Sequence, residues 1–351
     1  MLFHTARLVR VAIVATSYPN HPGDPAGHFV RTEALSLAAA GFDVHVIVPA
    51  ARDGTITSDP VRRWAIEHGG VFGWPGATAR LACQPWRAPG AAAFAWTATD
   101  RLRALRPDRI VAHWIVPSAF PIAVGARTPA EIECVAHGGD VRLLCRLPAP
   151  ARDFVVRRLI ARSRRIRFVA SALLDQLCAV ISPGLEARLR KIAMAQPCAL
   201  DLPDVAARTV DLRNRFPGAK LLTAVGRLVP SKRVELAIAA ANLIGHDVRL
   251  CVVGDGPERA RLQGLDRVGN VAFVGALDRP DALAWIAASR VMIHASAQEA
   301  APTTVREARM LGVPVVACDA GDLARWARGD AGIRVVAPDA TAIADAIVAM
   351  A

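Results

Sequence analysis

The sequence has no long apolar segment, because none of its hydrophobic runs approaches the roughly 18 residues that a membrane-spanning helix requires. The first apolar run, residues 11–15, is followed by the polar stretch TSYPNHPGD, so we interpret it as a buried strand rather than a signal-peptide core. We therefore expect a cytoplasmic protein. Apolar residues form 53% of the chain and charged residues 21%, which is typical of globular proteins.

Paired cysteines are also missing. The seven cysteines include no C-x-x-C pair, their number is odd, and several lie inside apolar runs. This distribution indicates reduced, buried cysteines that act as small apolar side chains. Histidines and cysteines do not follow one another at metal-ligand spacing, so we expect no metal site.

Acidic residues are scarce relative to basic ones, 31 against 43, which gives a formal charge of +12. Nucleic-acid binding is not expected, because the chain has one tyrosine, no zinc-finger spacing and no basic helix before heptads. The excess is concentrated in residues 141–168, which contain nine arginines and one aspartate. This segment is either an ordinary solvated helix face or a basic amphipathic face for an anionic membrane surface. The membrane contact would use Arg157, Arg158, Arg164 and Arg165.

Short apolar runs alternate with helical patterns along the whole chain. The runs are continuous rather than alternating, which is typical of parallel strands covered by helices on both faces. The predicted strands are residues 11–15, 44–48, 109–114, 132–137, 167–171, 221–226, 248–254, 271–275, 291–295, 313–317 and a last one from 333. Two clear helices follow the first and sixth strands, and the second is predicted to be capped by Ser231 and to end at Gly245.

Residues 194–219 contain prolines and no strong strand, and they separate the two sets of strands. We predict an α/β fold of two Rossmann-like, doubly wound parallel-sheet domains facing a cleft, with residues 1–202 in one domain and residues 203–351 in the other. Ligands of such sheets bind outside the carboxyl ends of the strands. Functional residues are therefore expected in the loops that follow strands.

Two of these loops carry candidate phosphate ligands. After residues 221–226, Arg227 and Lys232 flank a proline turn and can hold adjacent phosphates, although a solvated basic loop is the simpler interpretation. After the next strand, Gly254 and Gly256 predict a tight turn that lets a ligand approach. The third glycine of the dinucleotide fingerprint is missing, so this turn alone does not identify a ligand.

A third loop, within SAQEAAPTTVREARMLGVPVVA, places Glu299 after a strand and Glu307 on the helix that follows. Thr304 and Glu307 match the capping box S/T-x-x-E, which would make Glu307 a capping carboxylate. The amides before this helix lie where the helix dipole favours an anion such as a diphosphate. Carboxylates accept hydrogen bonds from vicinal sugar hydroxyls. A nucleotide diphosphate with a sugar at each end would therefore use both glutamates.

Glu299-x7-Glu307, followed by GVPVVA, resembles the signature of the GT-B fold retaining glycosyltransferases of the family-4 group (glycosyl transferases group 1). The similarity covers nearly the whole chain, through AVGRLVPSK, VVGDGPER and VAFVGAL in the second half and TSYPNHPGDPAGHF, HWIVPS and AHGGDV in the first. The resemblance implies that residues 1–202 form the acceptor-side domain. Residues 203–351 would bind the nucleotide-sugar, and the family's C-terminal crossover helix would be absent.

The resemblance also implies a role for each matching residue. Arg227 and Lys232 would bind the donor diphosphate, Glu299 the hydroxyls of the transferred sugar, and Glu307 the ribose. His137 would approach the transferred sugar from the other domain, unless it is a buried histidine bonded to backbone. The remaining donor-binding residues would be Gly27, Gly226, Gly254, Gly256, Ala300, Ala301, Thr303 and Thr304. The acceptor-side residues would be Gly27, His113, Gly138 and Asp140.

The implied enzyme retains the anomeric configuration and uses a nucleotide-diphosphate sugar as co-substrate, with no metal. Its acceptor would be a polysaccharide, a glycolipid or a lipid-linked glycan, and it would be cytoplasmic or peripheral at the inner membrane face. Two alternatives stay open. One is a degenerate, non-catalytic subunit that binds nucleotide-sugar, favoured by Ala300, where the family usually has glycine, and by the short C-terminus. The other is a nucleotide-sugar 2-epimerase.

Overall fold

The computed structural model describes residues 8–350 except residues 59, 74, 75 and 219. The chain divides into two compact units. The N-terminal unit contains Met1–Asn20 and Ala26–Ala199, and the C-terminal unit contains His21–Pro25 and Leu200–Ala351. The main division, between residues 199 and 200, lies close to the boundary predicted at residue 203.

The N-terminal unit is built on an eight-stranded sheet with the order β3-β4-β2-β1-β5-β6-β7-β8. Its strands are β1 Arg10–Val14, β2 Asp43–Ala50, β3 Gly54–Ser58, β4 Val61–Glu67, β5 Arg109–His113, β6 Glu131–Ala136, β7 Ser163–Phe168 and β8 Ala193–Ala195. Its α-helices are α1 His28–Ala39, α2 Ala77–Cys83, α3 Ala88–Leu105, α4 Val124–Ala126, α5 Gly139–Arg146, α6 Ala149–Arg162, α7 Ser171–Cys178 and α8 Pro183–Ile192. All neighbouring strands are parallel except β3, which pairs antiparallel with β4.

The C-terminal unit contains a six-stranded parallel sheet with the order β11-β10-β9-β12-β13-β14. Its strands are β9 Lys220–Val225, β10 Val248–Val253, β11 Val271–Gly275, β12 Val291–His294, β13 Val315–Cys318 and β14 Ile333–Val336. Its α-helices are α9 Ala206–Arg215, α10 Val234–Ile244, α11 Arg259–Gln263, α12 Arg279–Ala288, α13 Thr303–Met310, α14 Leu323–Ala327 and α15 Ala340–Met350.

Both faces of the C-terminal sheet are buried, as strand β9 illustrates. Leu222 and Ala224 belong to an apolar cluster that includes residues of α10 and α15. Leu221 faces the other way, into a cluster that includes residues of α9, α12 and α13. Because each face packs against helices, both sets of alternate residues are mainly apolar, as expected of a parallel sheet, and the buried Thr223 donates its hydroxyl to Trp285 O. The predicted α/β class of two doubly wound sheets is confirmed.

Several local predictions are wrong. The hairpin β3–β4 and the short strand β8 were not predicted, since β4 has the mixed sequence VRRWAIE and is buried only in part. Ser231 does not cap α10. It lies in the 3₁₀ turn Pro230–Lys232, and Arg233, with φ of 47°, occupies the N-cap position without a side-chain cap bond. Gly245 ends α10 as predicted.

The basic segment, residues 141–168, does not form one helix. It runs through most of α5 and all of α6 and then becomes β7, so Arg157 and Arg158 lie on a helix whereas Arg164 and Arg165 lie on a strand. No helix among the described residues is long and apolar enough to cross a membrane. The seven cysteines all lie in the described part of the chain; none forms a disulfide, and five are buried.

Candidate functional site

Four loops of the C-terminal unit follow parallel strands at their carboxyl ends and are bonded to one another. They are residues 226–233 after β9, 254–258 after β10, 295–302 after β12 and 319–322 after β13. The connecting bonds run from Leu228 N–H to Asp255 O (2.9 Å), from Ala297 N–H to Ser231 O (2.8 Å) and from Asp322 N–H to Ala300 O (3.3 Å). The sequence predicts the site at the carboxyl ends of the strands, and the loops at those ends are thus connected to one another.

Two glycines of the loop after β10 allow it to pack tightly against the loop after β9. Gly254 has φ of 136°, and a Cβ atom there would overlap the carbonyl of Gly226. A Cβ atom at Gly256 would similarly overlap the carbonyl of Leu228. Contact between the two loops, independent of any ligand, therefore explains these glycines.

A carboxylate, a lysine and a histidine meet where these loops join. Lys232 Nζ donates a hydrogen bond to Glu299 Oε1, and His294 Nε2 lies 3.3 Å from the same oxygen. Burial alone would raise the pKa of the Glu299 carboxyl. The hydrogen bond from His294 and the charge of Lys232 outweigh burial and lower that pKa to about 2. Glu299 is therefore an ionised acceptor at neutral pH.

Glu307 lies on α13 and is held by a different cation. Its Oε1 atom accepts hydrogen bonds from Arg279 Nε at 2.9 Å and Arg279 Nη2 at 2.8 Å, and both side chains are largely buried. Burial raises the pKa of Glu307, although the nearby Arg279 charge acts in the opposite direction. The capping-box prediction is wrong, because Pro302 occupies the N-cap position of α13 and no side chain caps it.

The amides predicted to bind an anion stand before and at the start of α13. Ala300 is 8% exposed, and Ala301, Thr303 and Thr304 are half-buried. Arg227, the other predicted phosphate ligand, is exposed in the loop after β9. Binding of a diphosphate by these groups stays a prediction.

In the N-terminal unit, His113 ends β5 and His137 directly follows the neighbouring strand β6. His113 Nδ1 lies 3.0 Å from His137 Nε2, so the ring of His137 contacts another imidazole rather than a backbone group. Burial lowers the pKa of His137 well below its usual value, and the charges of His113 and Arg167 lower it further. The imidazole is consequently neutral near pH 7.

Asp140 organises the turn between β6 and α5. Its Oδ1 atom accepts hydrogen bonds from the backbone N–H groups of His137, Gly138 and Val141 at 2.9–3.0 Å. Its Oδ2 atom accepts the N–H of Ile115 at 2.6 Å, which ties the loop after β5 to this turn. Three predicted acceptor-side residues, His113, Gly138 and Asp140, are thus brought together around His137.

A buried ion pair lies behind the two histidines. Glu33 Oε2 is 3.4 Å from His113 Nε2, and Arg167 Nη2 donates to both oxygens of Glu33 at 2.7 and 2.9 Å. Arg167 Nε also donates to Glu133 at 2.9 Å. Burial would raise the pKa of Glu33, but the hydrogen bond and charge of His113, together with Arg167, lower it to about 2.

Gly27 is the N-cap residue of α1 and has φ of 68°. A Cβ atom at this position would collide with the backbone of Ser17 and Tyr18. This close contact with the backbone of the same unit explains the glycine without a ligand, and the implied role of Gly27 in donor and acceptor binding stays a prediction.

Sequence reasoning missed His294, Arg279, Glu33 and Arg167. His294 could have been found, because it ends a predicted strand just before Glu299 and parallel strands place such residues at the ligand edge. Arg279 and Arg167 form pairs with residues far away in sequence, and no local pattern reveals such pairs.

Comparisons with known proteins find their strongest sequence similarity in the C-terminal unit. Residues 219–351 match the family model described as glycosyl transferases group 1. A GDP-mannose-dependent alpha-mannosyltransferase of Mycolicibacterium smegmatis is 39% identical over 119 residues, which are 33% of this chain and 30% of that protein. The putative teichuronic acid biosynthesis glycosyltransferase TuaC of Bacillus subtilis is 25% identical over 97% of this chain and 88% of its own.

A solved structure extends the likeness of fold to the whole chain. Sucrose-phosphate synthase from Thermosynechococcus elongatus superposes with a TM-score of 0.69 and 22% identity, covering 97% of this chain and 89% of that one. The chain has the GT-B fold. The matched family model and these relatives confirm the resemblance predicted from Glu299-x7-Glu307 and the loops before it.

Proposed function

We propose that this chain is a retaining glycosyltransferase that moves a sugar from a nucleotide-diphosphate sugar to a polysaccharide, glycolipid or lipid-linked acceptor. The observation that carries this proposal is the ionised Glu299, which is bonded to Lys232 and lies beside His294 where the loops after β9 and β12 meet. A carboxylate suits sugar hydroxyls, whereas a lysine and the amides of a helix N-terminus suit phosphates. A nucleotide-diphosphate sugar offers both kinds of group in one molecule.

The cations would assist departure of the nucleotide. As the bond between sugar and diphosphate breaks, negative charge grows on the phosphate oxygens, and Lys232 and Arg227 would stabilise it together with the N-terminus of α13. The bond to Glu299 fixes the ammonium group of Lys232 in advance, so little reorganisation is required during the reaction.

Retention of configuration is part of the proposal and is supported by the family resemblance. The acceptor hydroxyl would attack from the face on which the diphosphate leaves, and a phosphate oxygen would take up its proton. This route requires neither a protein base nor a metal ion. His137, neutral because of its low pKa, would contact the transferred sugar as a hydrogen-bonding group rather than as a cation.

The names of the relatives suggest the first substrates to test. GDP-mannose is the first donor candidate, because the relative from Mycolicibacterium smegmatis is named for its dependence on it. A cell-envelope polysaccharide is the first acceptor class, because TuaC is named for teichuronic acid biosynthesis. UDP-glucose is included as the alternative donor.

The direct test incubates the purified chain with labelled donor and an envelope-glycan acceptor, in buffer containing EDTA. We expect transfer of label into the acceptor, with the α configuration of the donor kept in the product as read by NMR. Donor binding without transfer or hydrolysis would indicate the non-catalytic subunit. Conversion of the donor into an epimer would instead indicate the nucleotide-sugar 2-epimerase.

The proposed roles of the two glutamates can be separated. Glu299→Ala should greatly lower turnover and leave nucleotide affinity largely intact, because Glu299 would bind the transferred sugar. Glu307→Gln should weaken nucleotide binding by about 10- to 100-fold, since a hydrogen bond to a charged group is worth about 1.5–3 kcal/mol. The measurement is calorimetric titration with the nucleoside diphosphate, and equal effects of both substitutions on its affinity would refute this division.

A further inference from the structure

Three side chains with metal-binding atoms converge in the N-terminal unit. His113 ends β5, His137 follows β6, and Cys198 follows β8, so all three stand at the carboxyl edge of one sheet. One ligand atom from each lies within 4.8 Å of the corresponding atoms of the other two. Their spacing in the sequence is not that of a metal-binding motif. The order of the strands in the sheet brings them together.

The contacts of His113 match those of a metal-bound imidazole. Its Nε2 atom faces the carboxylate of Glu33 at 3.4 Å, and its Nδ1 atom faces His137 Nε2 at 3.0 Å. When Nε2 carries the proton towards Glu33, Nδ1 presents its lone pair to the space shared with His137. A carboxylate behind the remote nitrogen is the usual arrangement for ligating histidines, and Glu33 stands in that position, at a distance slightly longer than a well-formed hydrogen bond.

The surrounding charges also suit a divalent cation. Glu33 and Glu133 share the single guanidinium of Arg167, which leaves one formal negative charge among these three groups. A deprotonated Cys198 would add a second negative charge, and a divalent ion would balance both. Burying charge without such compensation is unfavourable, so the network favours binding of a dication together with loss of the thiol proton.

We propose that His113, His137 and Cys198 form a binding site for Zn²⁺ or a similar borderline-soft divalent ion. Two imidazoles and one thiolate, with a fourth position left to water, are a ligand set that Zn²⁺ accepts. On binding, bonds form from the ion to two nitrogens and one sulfur, and the thiol proton passes to solvent. The ion inhibits the enzyme, because it occupies the His137 nitrogen and replaces the bond between the two histidines.

The inhibitory part of this inference rests on the proposed function, whereas the binding part does not. The proposed site departs from the expectation of no metal site, which rested on spacing in the sequence. The expectation that catalysis needs no metal is unchanged, since the ion is assigned to inhibition. Cys198 is the residue to replace, because it has no role in the proposed reaction. Cys145, which is half-buried on α5, provides the matched control.

Binding is tested by titrating the full-length protein with Co²⁺ and recording the visible and near-ultraviolet absorption. We expect a thiolate-to-cobalt charge-transfer band that saturates at one equivalent, persists in Cys145→Ser and disappears in Cys198→Ser. X-ray absorption of the unmutated Zn²⁺ complex should detect one sulfur and two imidazole ligands, which makes the test independent of the folding of any variant. Absence of the band, or its persistence in Cys198→Ser, would overturn the proposal.

Inhibition is tested in the transfer assay with added Zn²⁺ and no chelator. The unmutated chain should lose activity, EDTA should restore it, and Cys198→Ser should be active but at least about tenfold less sensitive to Zn²⁺, because loss of a metal contact weakens affinity on that scale. Equal sensitivity of Cys198→Ser and the parent would overturn the inhibitory role. A chain without transfer activity that still shows the cobalt band would refute the proposed function and leave the metal site supported.

Discussion

Each unit of the chain contains a glutamate that contacts both a histidine and a cation. In the N-terminal unit Glu33 contacts His113 and Arg167. In the C-terminal unit Glu299 contacts His294 and Lys232. In both, burial would raise the pKa of the carboxyl, but the histidine and the cation lower it to about 2.

The two clusters differ in where the cation can act. The Arg167 side chain is 8% exposed and is shared by Glu33 and Glu133, so its charge is used inside the unit. The Lys232 side chain is 22% exposed and stands in the loop that follows the carboxyl end of β9. The same three kinds of group therefore lie beside a buried imidazole in one unit, and in the other they would, under the proposed function, offer a positive charge to the donor.

The largest effect that this comparison predicts is on stability. Arg167→Met would leave the carboxylates of Glu33 and Glu133, which are 19% and 21% exposed, without their buried cation. Removing one partner of a buried pair typically costs about 3–5 kcal/mol. Urea unfolding measures the loss. Arg164→Met is the matched control, since Arg164 lies on the same strand but is 70% exposed, and its surface pair with Glu131 should be worth less than about 1 kcal/mol. Equal losses of unfolding free energy in the two variants would contradict the distinction between the buried Arg167 and the exposed Arg164.

Lys232→Met should act on catalysis instead. Removing one preorganised group that stabilises transition-state charge lowers turnover by about 10²- to 10³-fold, or about 3–4 kcal/mol. Lys220→Met is the control, because Lys220 begins the same strand, β9, at its opposite end. The measurement is turnover at saturating donor. If Lys232→Met and Lys220→Met reduced it to the same extent, the proposed role of the loop after β9 would be wrong.

The carboxylates also predict how stability depends on pH. The pKa of Glu299 is about 2 in the folded chain, against a usual value of 4.5. Between these two pH values the unfolded chain therefore binds a proton at this carboxyl more readily than the folded chain does. Its contribution, about 3 kcal/mol at most, is present above about pH 4.5 and is lost as the pH falls towards 2. The stability difference between the parent and Glu299→Gln should therefore shrink from pH 6 to pH 3, as should that for Glu33→Gln. A difference independent of pH would contradict the assigned pKa values.

The smallest expected effect concerns the basic segment, which we propose as a contact for anionic membrane surfaces. Arg157 lies 3.5 Å from Asp153, and Arg164 is bonded to Glu131, so the two pairs offset part of the positive charge. In a patch without such pairs, each arginine would contribute roughly 1 kcal/mol to binding at an anionic surface. Here the loss should be smaller, and replacing Arg157, Arg158, Arg164 and Arg165 together with glutamine should weaken binding to anionic liposomes by about tenfold. Binding that is absent, or unchanged by salt, would favour an ordinary solvated surface.

The sequence was sufficient to locate the carboxyl ends of most strands in each sheet. Apolar runs such as residues 250–253 predicted parallel strands. The residues that follow such runs, including Gly226, Lys232 and Glu299, lie in loops that are bonded together. This succeeded because strand period and strand-end position are local properties of the chain.

Long-range pairs could not be predicted in the same way. Glu307 fits a capping box locally, yet it pairs with Arg279, which lies on another helix. The approach of Cys198 to His113 and His137 depends on the order β5-β6-β7-β8 and not on any spacing in the sequence. Which side chains meet is decided by sheet topology, and a single sequence specifies topology only indirectly.

The most direct test of the central claim is a thermal-shift screen of the purified chain against UDP, GDP, ADP and their sugars, without metal. A ligand at about 100 times its Kd stabilises the folded state by about 2.7 kcal/mol. The account predicts a selective rise in Tm with one nucleoside diphosphate, reduced in Lys232→Met and retained in Lys220→Met. No shift with any nucleotide, or an equal shift in both variants, would contradict the assignment of the donor site to these loops.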